Sequence, residues 1–306
     1  MSPKRKGVTR LQHTTDPCRV NVFLALALAA AATLAVTLLV IHAGFRAPRR
    51  VEQGSPADIG LGYSETDILT TGGKRLFAWW VPACSTAPTV ILLHGWGGNA
   101  EMMLPLALPL HSAGMNVLLL DARNHGRSDS ASFSSLPRFA EDVGAATDWV
   151  KNQYKDQPGH IALLGHSVGA GAVLLEASRR GDIAAVISIA AFAHPEWMMR
   201  RYLARHKVPK LFTAWILRYV EWVIGHRYDD ISPLHTACRA RCPVLLVHGT
   251  ADRTVPVTDA IAIQKSCGTH APELLLIEGA DHDSVDRVEE HGEQLVTFLK
   301  RAGLSG

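Results

Sequence analysis

The chain has 306 residues, 47% of them hydrophobic and 19% charged, which allows a large buried core and argues against a disordered polymer. Its 31 Lys and Arg stand against 28 Asp and Glu, a formal charge of +3, too even a balance for a nucleic-acid footprint. Five cysteines, Cys18, Cys84, Cys238, Cys242 and Cys267, contain no CxxC pair to begin a zinc site, so they are expected as small buried thiols; a Cys238–Cys242 disulfide is the alternative open to a domain outside the cytoplasm.

Residues 1–19 form a basic segment carrying Lys4, Arg5, Lys6, Arg10 and Arg19. Residues 20–43 follow, almost wholly apolar and without a formal charge, interrupted by Asn21, two threonines and His42. A helix needs roughly 20 such residues to cross a bilayer, whereas a signal peptide has an apolar stretch of about 7 to 15, so the segment reads as an uncleaved transmembrane anchor. Cleavage near Ala43, after Ile41-His42, is the competing reading. Arg46, Arg49 and Arg50 lie downstream, fewer than the cations upstream, so a cytoplasmic N-terminus and an extracytoplasmic domain are expected.

Residues 44–58, with Pro48, Gly54, Ser55 and Pro56, read as a linker. From 59 to 306 a single domain is expected. Ser64 to Thr70 and Arg75 to Val81 flank Thr71-Gly72-Gly73-Lys74, a hairpin signal. Short apolar runs then recur at Thr89 to Leu93, Asn116 to Leu120, His160 to Leu164, Ala184 to Ile189, Pro243 to Val247 and Glu273 to Ile277. Strands buried on both faces look like this. Helices are predicted between and after them, at Ala100 to Ser112, Pro137 to Asn152, Val168 to Arg180, Pro256 to Cys267 and Val285 to Arg301. The alternation predicts a doubly wound, mostly parallel α/β sheet with an antiparallel start.

One connection, residues 192–241, is far longer than such loops usually are and reads as a helical cap. Within it Phe212, Trp215, Ile216, Tyr219, Trp222 and Val223 fall at helical spacings, and Trp197, Met198, Met199 and Tyr202 form a second apolar group. The plain reading is a cap packed over the sheet edge. The sharper one makes Trp197, Met198, Trp215 and Tyr219 the lining of a lipophilic substrate pocket.

Gly165-His166-Ser167-Val168-Gly169 is a G-x-S-x-G run between a predicted strand and a predicted helix, the setting in which a sharp turn lifts a serine hydroxyl clear of a sheet. A serine is a poor nucleophile without a base, and the base needs an acid to fix its tautomer. Asp252 follows the strand ending at Val247, and His282 follows the strand ending at Ile277. All three therefore meet at one sheet edge, giving Ser167 as nucleophile, His282 as base and Asp252 as its orienting acid. Backbone N–H donors for an oxyanion are expected from Val168, next to the nucleophile, and from Trp96 in the glycine-rich loop His94-Gly95-Trp96-Gly97-Gly98. His94, His125, His166 and His248 are expected to be structural, and Asp121 to be a hydrogen-bond acceptor that ties its loop.

These motifs, with Asp121-Ala122-Arg123-Asn124-His125-Gly126-Arg127-Ser128, make residues 60 to 302 resemble the α/β-hydrolase family, in particular its serine esterase, lipase and serine aminopeptidase-like branches. The resemblance implies a carboxylic ester hydrolase working through an acyl-enzyme on a small-molecule or lipid-like acyl substrate, with no metal or organic cofactor and no nucleic-acid partner. Three alternatives stay open: an aminopeptidase-like peptidase with Glu196 or Glu221 holding a substrate amine, an acyltransferase, and a noncatalytic membrane-tethered binding protein.

Overall fold

The computed structural model describes residues 17–153 and 160–304 and divides the chain into two units, Met1–Phe45 and Arg46–Gly306. Lys4, Arg5, Lys6 and Arg10 of the basic segment lie outside the described residues. The first unit holds helix α1 (Pro17–Gly44). Its stretch Asn21–Gly44 is the one described helix long and apolar enough to cross a membrane. At 1.5 Å per residue it spans about 36 Å, more than the hydrocarbon core of a bilayer. Thr33 and Thr37 donate their hydroxyls back to the carbonyls of Ala29 and Thr33, at 2.9 and 2.8 Å, which satisfies their polarity within the helix.

The second unit is an eight-stranded sheet of β1 (Ser64–Thr70), β2 (Lys74–Val81), β3 (Thr89–Leu93), β4 (Asn116–Leu120), β5 (Ile161–His166), β6 (Ala185–Ile189), β7 (Val244–Gly249) and β8 (Glu273–Ile277). Their order across the sheet is β1-β2-β4-β3-β5-β6-β7-β8. β2 is antiparallel to both β1 and β4, and every later pairing is parallel. The β1–β2 turn needs its glycines, since Gly72 and Gly73 have φ of 72° and 67°.

Helices α2 (Leu104–Ser112), α3 (Leu136–Gln153), α4 (Val168–Arg179), α5 (Pro195–Arg205), α6 (Lys210–Ile224), α7 (Tyr228–Ile231), α8 (Pro233–Arg239), α9 (Val257–Ser266), α10 (Val285–Glu289) and α11 (Gly292–Arg301) complete the fold. Because side chains alternate along a strand, each central strand feeds two cores. Ile91, Leu93, Leu118, Leu120 and Leu163 join one with residues of α3 and α4, while Val90, Leu92, Val117, Leu119 and Leu164 join another with residues of α2 and α11.

Two expectations need correction. The helix predicted over 285–301 is two helices broken at Glu290 and His291. Gly292 sits so close to Pro109 of α2 that a Cβ there would lie 2.8 Å from the proline ring, so the chain turns to make that approach. Cys238 is neither a buried thiol nor bonded to Cys242: it forms a disulfide with Cys267, joining α8 to the end of α9, which pack side by side. Cys84, also expected to be buried, is exposed, and Cys242 stays a half-buried thiol whose pKa burial pushes up to about 11, making it a poor nucleophile.

Residues 46–58, a linker by composition, run as a strap along the second unit. The Arg49 guanidinium donates to the carbonyls of Gly126 and Ser128 at 2.8 and 2.7 Å, and the Gln53 and Gly54 N–H groups donate to the Glu101 carboxylate at 2.8 and 3.0 Å.

Candidate active site

Ser167 stands between β5 and α4 with φ 55° and ψ −114°, a left-handed backbone that a side chain normally avoids. The neighbours make the turn possible by absence of bulk: a Cβ on Gly165 would overlap the backbone of Gly169, and one on Gly169 would overlap the carbonyls of Leu93 and His94. The Ser167 N–H donates to the Ile189 carbonyl at 2.8 Å, fastening the turn to β6.

The structure brings Ser167, His282 and Asp252 together. His282 Nε2 lies 3.0 Å from Ser167 Oγ, and His282 Nδ1 lies 2.7 Å from Asp252 Oδ2. With an ionised Asp252, Nδ1 carries the proton and donates it, leaving Nε2 free to accept from the serine hydroxyl. Burial pushes the Asp252 carboxyl up, but the His282 hydrogen bond and the Val255 and Thr254 N–H groups, each 2.8 Å from Oδ1, outweigh it and hold the pKa below the usual carboxylate value.

The loops carrying the acid and the histidine are tied to each other and to the serine turn. Thr250 and Ala251 N–H donate to the Ile277 and Ala280 carbonyls, and the Gly279 N–H donates to Thr250 Oγ1. His248 Nε2 donates to the Val255 carbonyl at 2.8 Å, which steadies the Asp252 turn. His166 Nε2 donates to the His282 carbonyl at 2.8 Å, linking the residue before the serine to the histidine loop. Burial, with His282 close by, lowers the His166 pKa to about 4, so it remains a neutral donor. His166, His282 and Asp283 bring possible metal-ligand atoms within 4.8 Å of one another, yet both histidines are engaged in these hydrogen bonds.

The loop after β3 abuts the serine, for a Cβ on Gly95 would lie 3.0 Å from Ser167 Cβ. Gly98 N–H closes a turn on the Gly95 carbonyl, with Trp96 and Gly97, φ 73°, between them. Buried His94 locks the loop: Nδ1 donates to the Gly95 carbonyl at 2.7 Å and Nε2 accepts from Ala122 N–H at 3.1 Å. Desolvation, reinforced by His125, drops the His94 pKa to about 3, so the ring keeps this neutral tautomer. Among the described residues neither Trp96 N–H nor Val168 N–H has an acceptor. Two free donors thus stand on the loop and at the helix start that flank Ser167.

Of the four pocket candidates, Met198 packs against the buried core and Trp197 lies 5.9 Å from the His194 ring. Trp215 stacks on Tyr219, ring centres 5.8 Å apart and planes within 8°, on a face of α6 that also exposes Leu211, Phe212 and Trp222. No hydrogen bond or ring contact among the described residues joins any of the four to Ser167 or His282. The cap is anchored by His194 Nε2 to Asp229 at 2.9 Å and by Arg201 to the buried carboxylate of Asp259 at 2.8 Å, pairs that sequence reasoning missed because their members lie 35 and 58 residues apart.

A family model described as serine aminopeptidase, S33, matches residues 85–236. The uncharacterized protein YfhR of Escherichia coli K12 is 30% identical over 251 residues, covering 77% of this chain and 80% of that protein. A monoacylglycerol lipase of Mycolicibacterium smegmatis is 24% identical over 261 residues, covering 74% of this chain and 92% of the lipase. Among solved structures, the Pyrococcus furiosus esterase Pf2001 superposes with a TM-score of 0.68 at 25% identity, covering 84% of this chain and 97% of the esterase.

Proposed function

The chain belongs to the α/β-hydrolase family, and from that premise we propose that it is a membrane-anchored serine hydrolase that cleaves carboxylic esters through an acyl-enzyme. The observation that carries the reading is the hydrogen-bonded line Ser167–His282–Asp252, with two unengaged backbone N–H groups beside the serine. Ser167 Oγ attacks the ester carbonyl as His282 Nε2 takes its proton. Asp252 holds the imidazole in place and stabilises the imidazolium. The N–H groups of Trp96 and Val168 bind the oxyanion. His282 then returns the proton to the leaving alkoxide, and a water molecule activated by His282 releases the acid. These steps need only the chain's own groups and water.

Esters are favoured over peptides by the state of the cap acids. Glu196 accepts from Arg200 at 2.6 Å, while Glu221 accepts from Tyr228 N–H at 2.9 Å and lies 3.7 Å from Arg218. Neither stands free to receive a substrate amine. The esterase and lipase among the relatives point the same way. Labelling by a fluorophosphonate probe is expected for the wild type and not for Ser167→Ala, and p-nitrophenyl esters are expected to turn over where aminoacyl amides do not. A folded wild type that takes no label would overturn the reading.

The apolar helix is the anchor, with the N-terminus in the cytoplasm and the hydrolase domain outside. Two observations support that orientation. Arg46 and Arg49, the nearest downstream cations, are engaged in the folded domain by the Ser132, Gly126 and Ser128 carbonyls. The Cys238–Cys267 disulfide suits an oxidising compartment. A reporter fused after Gly306 that is active only in the cytoplasm would reverse the topology.

A further inference from the structure

The strap at residues 48–54 meets the serine-flanking loop at several points. The Pro48 ring lies 3.4 Å from the position a Cβ on Gly97 would take, the Arg50 carbonyl accepts from Asn99 Nδ2 at 3.3 Å, and Glu101 receives the Gln53 and Gly54 N–H groups. Between these points Glu52 reaches inward. A Cβ on Gly126 would overlap Asp121 Oδ2 and Glu52 Oε1 at once, so the two carboxyls converge on one spot, and Gly126, φ 44°, is the residue that leaves room for them.

Asp121 uses Oδ1 to accept from Ala100 N–H and Oδ2 to accept from Arg127 N–H, both at 2.8 Å. Both oxygens of Glu52 are buried and meet no donor among the described residues. Two adjacent buried carboxylates without a cation between them would repel strongly, whereas one proton held between them makes a charge-assisted hydrogen bond. The pair therefore ties the strap to the turn after β4, which also holds the 94–101 loop through Ala100 N–H on Asp121 Oδ1 and Ala122 N–H on His94 Nε2.

We propose that this strap is a positioning element for ester hydrolysis, with Glu52 as its latch: paired with Asp121, it presses Pro48 and Arg50 onto the loop that carries Trp96 and fixes where the Trp96 N–H points. The proposal rests on the acyl-transfer reading, in which that N–H meets the oxyanion. Glu52 touches no reacting atom and acts through the loop.

The latch is sensitive to alkali. Burial, with Glu52 beside it, raises the Asp121 pKa to about 8 against the backbone donors that oppose the shift. Because the Asp121 pKa is raised, the stability its proton contributes to the latch is fully present below about pH 4 and is lost as pH climbs through about 8, above which Asp121 gives up the shared proton and the hydrogen bond to Glu52 goes with it. The charged and titratable groups around the pair are Arg49 on the strap, His94 and Glu101 on the loop, Arg123, His125, Arg127 and Asp129 on the turn after β4, and Glu65 on β1. Arg127 is engaged by Glu65 and Arg123 by Asp142, and the Arg49 guanidinium is turned to carbonyls. None of the three cations bridges the carboxyls.

The test uses the full chain in detergent micelles, with kcat and KM for one p-nitrophenyl ester measured from pH 6 to 9.5 and thermal melting followed alongside. Glu52→Ala is expected to lower kcat about tenfold or more, a fraction of what full loss of an oxyanion donor costs, while KM stays within about twofold. Glu52→Gln is expected to recover most of kcat, because its amide can always donate to Asp121, and to keep that activity above pH 8 where the wild type declines. Should Glu52→Ala fail to fold, Glu101→Ala frees the other end of the strap and is expected to reduce kcat by a smaller factor at unchanged KM. Wild-type kcat in both alanine variants, or one shared alkaline decline in wild type and Glu52→Gln, would overturn the latch while leaving the hydrolase reading intact. A wild type that neither turns over the ester nor takes the fluorophosphonate label would remove both.

Discussion

The serine edge of the sheet and the cap over residues 195–239 are built on opposite plans. At the edge each side chain that would do chemistry is held on more than one side: Ser167 by a strained turn between glycines, Asp252 by two backbone N–H groups, and His282 by the Asp252 carboxylate and by its own carbonyl bonded to the His166 ring. In the cap, α6 buries Thr213, Leu217 and Val220 and leaves Leu211 81% and Trp222 77% exposed. Geometry is thus fixed where bonds would be made and broken, and loosely specified where an acyl group would be accommodated. On the proposed reading, turnover belongs to the first region and substrate choice to the second.

That division can be broken or sharpened by substitution. The largest effect is expected from Ser167→Ala, which should cut kcat for an ester by a factor on the order of 10⁶ without loss of fold, measured against a thermal melt. Next comes Asp252→Asn, at about 10³ to 10⁴ in kcat, because the amide no longer fixes the donor tautomer of His282. Since the Asp252 pKa lies below the ordinary carboxylate value, the stability it contributes is present above about pH 4 and is lost only as pH falls further. The Asp252 contribution to stability should accordingly stay constant from pH 6 to 8, which thermal melts of wild type and variant across that range check.

Replacing Cys238 and Cys267 together by serine should lower unfolding stability by about 2 to 4 kcal/mol in a denaturant titration, with kcat for a short ester within about twofold of wild type. The smallest effect belongs to Trp215→Ala, which should leave kcat for a short ester unchanged and shift preference among acyl chains by about tenfold. A Trp215→Ala variant as impaired in kcat as Asp252→Asn would erase the distinction between the two regions.

The contrast also separates what could be read from the chain. The apolar runs of β3 to β8, the serine turn, and the acid and histidine after their strands were legible because each depends on a few neighbouring residues and on strand ends that the alternation already places. The Cys238–Cys267 bond was not, because it depends on α8 and α9 lying side by side, whereas spacing drew attention to Cys242. The break at Glu290 follows from the approach of Gly292 to Pro109, a tertiary demand that leaves the helical pattern uninterrupted. Glu52 gave no signal, for its partner Asp121 lies 69 residues on in the sequence and a single glutamate in a polar stretch looks like any solvated charge.

The left-handed backbone at Ser167 carries a last consequence, for durability. A residue with a side chain held at φ 55° loses about 1 to 3 kcal/mol relative to glycine in the same place, so folding alone would be better served by glycine at 167. The hydroxyl and the stability of the domain are in direct opposition at this one position. Ser167→Gly should therefore melt several degrees above the wild type while being inert, giving a sturdier form in which an intact ester can be held for structural work.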